Sequence, residues 1–260
     1  VRDAAGTFVV RFGDDNPHHG ILRWHEKAVS RAAASAGISP AIRHEGPGVL
    51  VLDFIEGRAF GEEDVREQAN IPRIAALVRR VHDDMAGLVR GPMLAFHPFQ
   101  INADYMARLR RDASPHEAVI TRLQTANARL DALLPPSRIA FGHNDLLPAN
   151  FIDDGTRLWL IDWEYSGANG IFFDLGGVAS NAGMDDAETA RLLEAYFGRP
   201  AAAAELRAIA VSQAQSLLRE TVWSMTSELH SDLDFDFAAY TLKNLERFEA
   251  AFAAVLETTA

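Results

Sequence analysis

The spacing of apolar residues shifts between a strand-like and a helical period along this chain, and those shifts limit the folds open to it. Residues 7–12 (Thr-Phe-Val-Val-Arg-Phe) are β-branched and aromatic and follow the turn-forming Asp3-Ala4-Ala5-Gly6. They predict a strand entered from a hairpin whose first arm is Val1-Arg2. Residues 20–36 are alanine-rich, with Ile21, Trp24, Ala28 and Val29 near helical spacing, and Gly37 and Pro40 supply a stop. Residues 49–55 (Val-Leu-Val-Leu-Asp-Phe-Ile) predict a buried strand closed by Glu56-Gly57-Arg58. Strands around a single helix predict a small sheet-based lobe.

From Asp64 onward the period is helical. Residues 71–85 are amphipathic, and residues 118–134 put Val119, Leu123, Leu130 and Leu134 on one side before Pro135-Pro136. A β interlude interrupts them. Residues 139–141 (Ile-Ala-Phe) lead into Gly142-His143-Asn144-Asp145, and residues 151–152 and 157–161 flank the turn Asp153-Asp154-Gly155-Thr156, a hairpin signal. Helices resume at Asp185, which forms a capping-box pattern with Glu188, and continue over residues 201–229 and 237–256. The expected fold is α+β and two-lobed. A small β-rich N-lobe (1–57) leads through a linker near residues 56–61 into a larger helical C-lobe (58–260) that carries the hairpin.

Composition narrows the function classes. The 260 residues are 48% hydrophobic and 23% charged, which is globular usage. The excess of 36 Asp+Glu over 25 Lys+Arg, net −11, argues against a nucleic-acid surface and is compatible with a cationic small partner. The absence of cysteine excludes a disulfide framework, a thiolate nucleophile and any Cys-based metal site. No stretch reaches the roughly 18 consecutive apolar residues of a membrane helix. Val1-Arg2-Asp3 does not open a signal peptide, so a cytoplasmic protein without membrane insertion is expected.

The segment that carries chemistry is Gly142-His143-Asn144-Asp145-Leu146-Leu147-Pro148-Ala149-Asn150, followed by Leu158-Trp159-Leu160-Ile161-Asp162-Trp163-Glu164. A hairpin folds its second arm back on its first, so Asp162 can approach Asn150. Two carboxylates and an amide oxygen near one point suit a hard cation such as Mg²⁺, and Asp145 could then accept or orient the proton of an attacking hydroxyl. Taken singly, Asp145 and Asn150 read as turn formers and Asp162 as a strand-end cap. The His-x-Asp-x₄-Asn spacing arises by chance in only on the order of one per cent of chains this long, so the joint pattern favours chemistry.

His143-x-Asp145-x₄-Asn150 with Asp162 resembles the protein-kinase-like catalytic loop and metal-binding aspartate of phosphoryl transfer. The fuller wording, with Ile161-Asp162-Trp163-Glu164-Tyr165 and Phe173-Asp174-Leu175-Gly176, resembles the choline/ethanolamine kinase branch of the aminoglycoside phosphotransferase superfamily. The resemblance covers nearly the whole chain. It implies a protein-kinase-like fold that binds ATP and Mg²⁺, with Asp145 as catalytic base, Asn150 and Asp162 as metal ligands and His143 as a brace. Arg11 would hold nucleotide phosphates, Glu26 would pair with it, and Phe54, Ile55 and Glu56 would contact adenine from the hinge. That family begins with a glycine-rich hairpin, and nothing before Val1 supplies one. A partial chain is expected, the alternative being a protein without that phosphate lid.

For the acceptor, Trp223, Phe235, Phe237 and Tyr240 lie across a helix–loop–helix, and Glu164, Tyr165 and Asp174 follow the metal aspartate. Aromatic faces beside acidic groups suit an ammonium through cation–π attraction of about 0.5–2 kcal/mol per ring. Without the family these rings read as ordinary helix packing. With it, Glu164, Tyr165, Asp174, Trp223 and Tyr240 are the candidate acceptor residues. The segment Ser166-Gly167-Ala168-Asn169-Gly170 lacks the aromatics many choline kinases carry there, and Gly177 replaces a usual asparagine. The expected reaction is γ-phosphoryl transfer from ATP to a hydroxyl of choline or a related amino alcohol. The alternatives are an aminoglycoside, thiamine or sugar kinase, or a nucleotide-binding pseudokinase or regulatory module. His18, His19, His82, His97 and His230 show no metal-ligand spacing and are read as solvent or packing residues.

Overall fold

A computed structural model of the chain describes residues 1–4 and 6–259. Strands β1 (Arg2–Asp3) and β2 (Gly6–Phe12) pair antiparallel as Arg2 with Thr7 and Asp3 with Gly6. The predicted hairpin is therefore present, although its residue Ala5 lies outside the described residues. Helix α1 (Arg23–Ser35) follows, then β3 (Ile42–Gly46) and β4 (Val49–Asp53), giving a sheet of order β1-β2-β4-β3. The sequence signalled no strand at β3. Its Arg43-His44-Glu45 stretch is exposed along the sheet edge, where no alternation of buried residues is required. The helix is also shorter at its start than the alanine-rich run predicts, because Asn16 and Ile21 bridge to each other across a tight turn instead.

The rest of the chain is mostly helical. After β5 (Arg58–Ala59) come α2 (Glu62–Arg66), α3 (Asn70–Leu88), α4 (Pro98–Arg111) and α5 (Glu117–Leu133). Strand β6 (Ile139–Gly142), a 3₁₀ turn (Pro148–Asn150), β7 (Phe151–Asp153), β8 (Leu158–Leu160) and β9 (Gly167–Gly170) form the interlude. It is followed by α6 (Ile171–Ala182), α7 (Asp186–Phe197), α8 (Ala203–His230) and α9 (Phe237–Thr259). The β7–β8 turn forms as expected. Asp154 Oδ1 accepts from the amides of Thr156 and Arg157, and Gly155 takes φ 85°. Asp185 caps α7 by accepting from the Glu188 amide at 2.7 Å while Glu188 returns the bond at 2.9 Å.

Two apolar clusters hold the molecule. One runs from Val29, Ala33 and Ile38 through α3, β7, β8 and Trp163 to α6 and α7, so α1 is packed on the helical body. The other joins α4, α5, α8 and α9 around Met106, Leu123, Leu218 and Phe248. Each fully buried Leu, Ile or Phe contributes about 1.5–3 kcal/mol of transfer free energy. Hydrogen bonds reinforce the first junction: the Leu160 amide donates to Ile38 O at 3.0 Å, and Trp163 Nε1 donates to Ser39 Oγ at 2.7 Å.

Helix α6 lies between the clusters and is buried on every side, so it shows no amphipathic period. It crosses α8 at Gly176, where a Cβ would stand 2.8 Å from the Ser212 backbone. Gly176→Ala is therefore expected to cost about 1–3 kcal/mol through overpacking. Gly177→Ala, whose nearest neighbour would be Ser216 Oγ at 3.9 Å, should stay within about 1 kcal/mol of the parent. Urea unfolding of the two variants measures the difference.

Candidate active site

The loop after β6 is shaped from beneath by one carboxylate. Asp174, at the first turn of α6, accepts from the amides of His143 at 2.8 Å and Asn144 at 2.7 Å, and from His82 Nε2 at 3.0 Å. His82 Nδ1 is held in turn by the Tyr196 hydroxyl at 2.7 Å. Burial alone would raise the Asp174 carboxyl, but the bonds and charges of His82 and His143 hold it below the ordinary carboxylate range. Asn144 sits in the left-handed region at φ 64°, and its Nδ2 donates to Tyr165 O at 3.1 Å and Gly167 O at 3.2 Å. Gly142 permits this approach, since a Cβ there would stand 2.8 Å from Asn144 Oδ1. Asp174 is thus not an acceptor contact as the sequence suggested. It is 2% exposed and fully engaged with the loop. His82, read from sequence as packing, is its partner, and His143 braces the loop by donating from Nε2 to Ile161 O at 2.9 Å.

On this loop Asp145 and Asn150 stand close together: Asn150 Nδ2 donates to Asp145 O at 2.8 Å, which turns the amide oxygen to other use. The Ile161 amide donates to Asn150 O at 3.1 Å, bringing Asp162 beside them at φ 72°. The loop that carries Asp145 and Asn150 is thus bonded to the strand end that carries Asp162. Arg11 on β2 reaches across to them, donating to Asp162 Oδ1 at 2.8 Å and lying 2.6 Å from Glu26 Oε1 and 3.3 Å from Glu164 Oε2. Burial opposes the Arg11 charge, but Asp162 and Glu26 outweigh it and raise its pKa.

Arg23, which the sequence gave no reason to single out, binds Glu26 at 2.7 Å and Glu164 at 3.0 Å. Glu26, Asp162 and Glu164 offer carboxylate oxygens within 4.8 Å of one another. Burial, then Asp162, raises the Glu164 carboxyl despite both arginines. The hinge residues fall elsewhere. Phe54, Ile55 and Glu56 line an open groove of about 590 Å³ with Ser39, Pro40, Asp154 and Trp159, and neither Arg11 nor Asp162 is among its walls.

A separate cavity of about 200 Å³ is bounded by His19, Gln100, Asp104, Tyr105, Glu164, Tyr165, Ser166 and Arg219. Trp223 and Tyr240 are not among its walls and are joined to residues around it: Trp223 Nε1 donates to Tyr165 OH at 3.0 Å, and Tyr240 OH donates to Glu220 Oε1 at 2.8 Å. His19, read as solvent or packing, is in the wall and tilted against Trp223 at 5.0 Å. Burial, with Arg219 and His18 adding to it, pushes the His19 imidazole down to about 4, so it is neutral at pH 7.

Sequence reasoning missed Arg219. Its NH1 donates to Asp145 Oδ1 at 3.1 Å and Glu220 Oε2 at 3.2 Å, and its Cζ stands 4.2 Å over the Tyr165 ring. Burial pushes Asp145 up to about 7; Arg219 pulls the other way, while Glu220, Asp162 and Glu164 add to the rise.

With that geometry known, similarity to other proteins is decisive for family. Residues 2–191 match the sequence profile of Choline/ethanolamine kinase. The chain belongs to the choline/ethanolamine kinase family. It is 27% identical over 259 residues to ethanolamine kinase of Drosophila melanogaster (86% of this chain, 50% of that protein) and 28% identical over 217 residues to Protein LicA of Haemophilus influenzae (79% and 60%). The chain thus spans half to about three-fifths of these relatives' length. A choline/ethanolamine kinase family protein from Mesorhizobium loti superposes with TM-score 0.78 at 28% identity over 96% of this chain and 87% of that one. Choline kinase LicA from Streptococcus pneumoniae gives 0.75 at 21% over 95% and 86%, and a LicA complex with AMP gives 0.75 at 21% over 95% and 84%. These likenesses establish the protein-kinase-like fold. Among the described residues no helix is long and apolar enough to cross a membrane.

Two measurements check the site. Asp174→Ala removes the carboxylate from buried donors and should cost about 3–5 kcal/mol in chemical denaturation. Asp145 behaves differently, because a buried carboxyl that titrates near 7 when folded loses stability as pH rises from its ordinary value through 7. Asp145→Asn should therefore melt higher than the parent at pH 8, with the gap closing below pH about 4.

Proposed function

We propose that this chain is the catalytic body of a kinase that transfers the γ-phosphoryl group of ATP to the hydroxyl of an amino alcohol such as choline or ethanolamine. Residues 1–57 form its nucleotide side and residues 58–260 its acceptor side. The observation that carries the reading is the 2.8 Å bond between Arg11 and Asp162, which joins the sheet to the loop bearing Asp145 and Asn150. Family membership and the AMP bound to LicA support a nucleotide as the donor.

The donor set suits Mg²⁺: Asp162 gives one oxygen to Arg11 and keeps Oδ2, Asn150 presents its amide oxygen, and all are hard oxygen ligands. Asn150 and Asp162 would hold the ion, which when bound neutralises phosphate charge. Arg11, aimed by Glu26, holds phosphate oxygens through its planar guanidinium. Asp145 accepts the proton of the attacking hydroxyl and orients that oxygen toward phosphorus. The roles of Phe54, Ile55 and Glu56 in holding adenine rest on the family resemblance alone. The cavity beside Glu164 and Tyr165 receives the acceptor. A cytoplasmic location, where ATP is plentiful, fits this reaction.

Incubation with ATP, Mg²⁺ and a panel of ethanolamine, choline, thiamine, an aminoglycoside and a monosaccharide tests the reading by ³¹P NMR. A phosphomonoester of an amino alcohol is expected, and its absence while another acceptor reacts would overturn the assignment. Asp145→Ala should lower kcat by about 10²–10⁴-fold while nucleotide affinity stays unchanged. The parent rate should rise with pH through about 7, as the Asp145 carboxyl ionises. Asp162→Ala should weaken nucleotide binding only when Mg²⁺ is present, as titration calorimetry can show.

A further inference from the structure

The aromatic residues that a cationic acceptor would seek are already in use. The face of Tyr165 carries the guanidinium of Arg219 at 4.2 Å, and its hydroxyl accepts from Trp223. Trp223 is covered by His19 on one side and meets the edge of Phe237 at 6.1 Å on another. Tyr240 is spent on Glu220, which in turn holds Arg219. One ring, Tyr165, thus carries an internal cation that also touches Asp145, and the other rings are occupied by neighbours around it.

That cation is not bound as a purely structural arginine would be. Arg219 is 4% exposed, yet among the described residues only its NH1 has hydrogen-bond partners, and Nε and NH2 have none. A buried guanidinium normally spends its five donors on neighbouring acceptors. Here it is held by two carboxylates and a ring face, the environment that would bind a quaternary ammonium, which has no donors to satisfy. The cavity that Arg219 bounds is lined instead by the oxygens of Asp104, Glu164 and Gln100; Glu164 already meets Arg11 and Arg23 and Asp104 meets Arg108, but each carboxylate has further lone pairs. Such groups suit the N–H donors of a primary ammonium.

Building on the amino-alcohol kinase reading, we propose that Arg219 is the acceptor-selecting residue: it fills the cation seat on Tyr165, so the enzyme takes a primary amino alcohol and disfavours a trimethylated one. The same contact positions the Asp145 carboxylate. Removing the side chain leaves Tyr165, Asp145 and Glu220 around a void that joins the existing cavity, which is a seat for a quaternary ammonium.

Binding of tetramethylammonium, followed by saturation-transfer NMR and calorimetry, tests this without any turnover. The parent and Arg219→Lys should bind the probe weakly, Arg219→Ala at least about tenfold more tightly, and free guanidinium should compete with it in the alanine variant. Where Arg219→Ala fails to melt cooperatively, the double variant Arg219→Ala with Glu220→Gln, which relieves the unpaired buried charge, carries the same expectation and decides the question. Parent protein that binds the probe as tightly as either alanine variant overturns the proposal. In the kinase assay the choline-to-ethanolamine ratio of kcat/KM should rise about tenfold or more on Arg219→Ala, even as kcat falls, and an unchanged ratio also overturns it. A parent that phosphorylates no amino alcohol defeats the kinase reading by itself, while the probe measurement still decides whether Arg219 fills a cation seat.

Discussion

The geometry of the site depends on the Asp174 carboxylate. It gathers two consecutive loop amides and a histidine beneath the catalytic loop, in a place where water cannot substitute for it. The left-handed turn at Asn144 is held because those amides have no better partner. With Asn144 turned, its side chain ties down the segment after Asp162, so one buried acid sets the relative position of Asp145 and the strand end that bears Asp162.

Above that base the charges are linked in a chain. Arg11 and Arg23 share Glu26 and Glu164, and Arg11 also takes Asp162, so each of three close acids meets a guanidinium while the group keeps one more acid than arginine. On the other side Arg219 plays the same part for Asp145 and Glu220. Arg219 opposes the rise that burial imposes on the Asp145 carboxyl, and Arg11 and Arg23 do the same for Glu164, though both stay above their ordinary values; each arginine is kept in place by more than one acid.

Much of this was legible in the sequence, and the omissions have physical causes. Asp145, Asn150 and Asp162 could be placed together because a hairpin dictates who meets whom. The pairing of Arg11 with Glu26 needed only a strand followed by a helix, together with the family. Asp174 was misjudged because the sequence shows an acid after the metal aspartate and cannot show that it enters a helix buried on all sides. Strand β9 was invisible: Gly167-Ala168-Asn169-Gly170 has no strand propensity and is extended only through its pairing with β6. Arg219 carried no signal beyond its place between leucines and a glutamate in a helix whose residues are buried nearly all round. A charged residue inside such a stretch is the clue that it has buried partners.

Helix α1 carries Glu26, shares a core with α3 and α6 and is fastened at several points. His25 reaches Ser166 O at 2.8 Å, and Ile38 and Ser39 engage Leu160 and Trp163. Swinging this helix outward would strip apolar surface and break those bonds together, so Glu26 stays within reach of Arg11. A substitution that loosens the packing of α1 on α3 would therefore disturb the Arg11–Glu26 pair as well as the stability of the molecule.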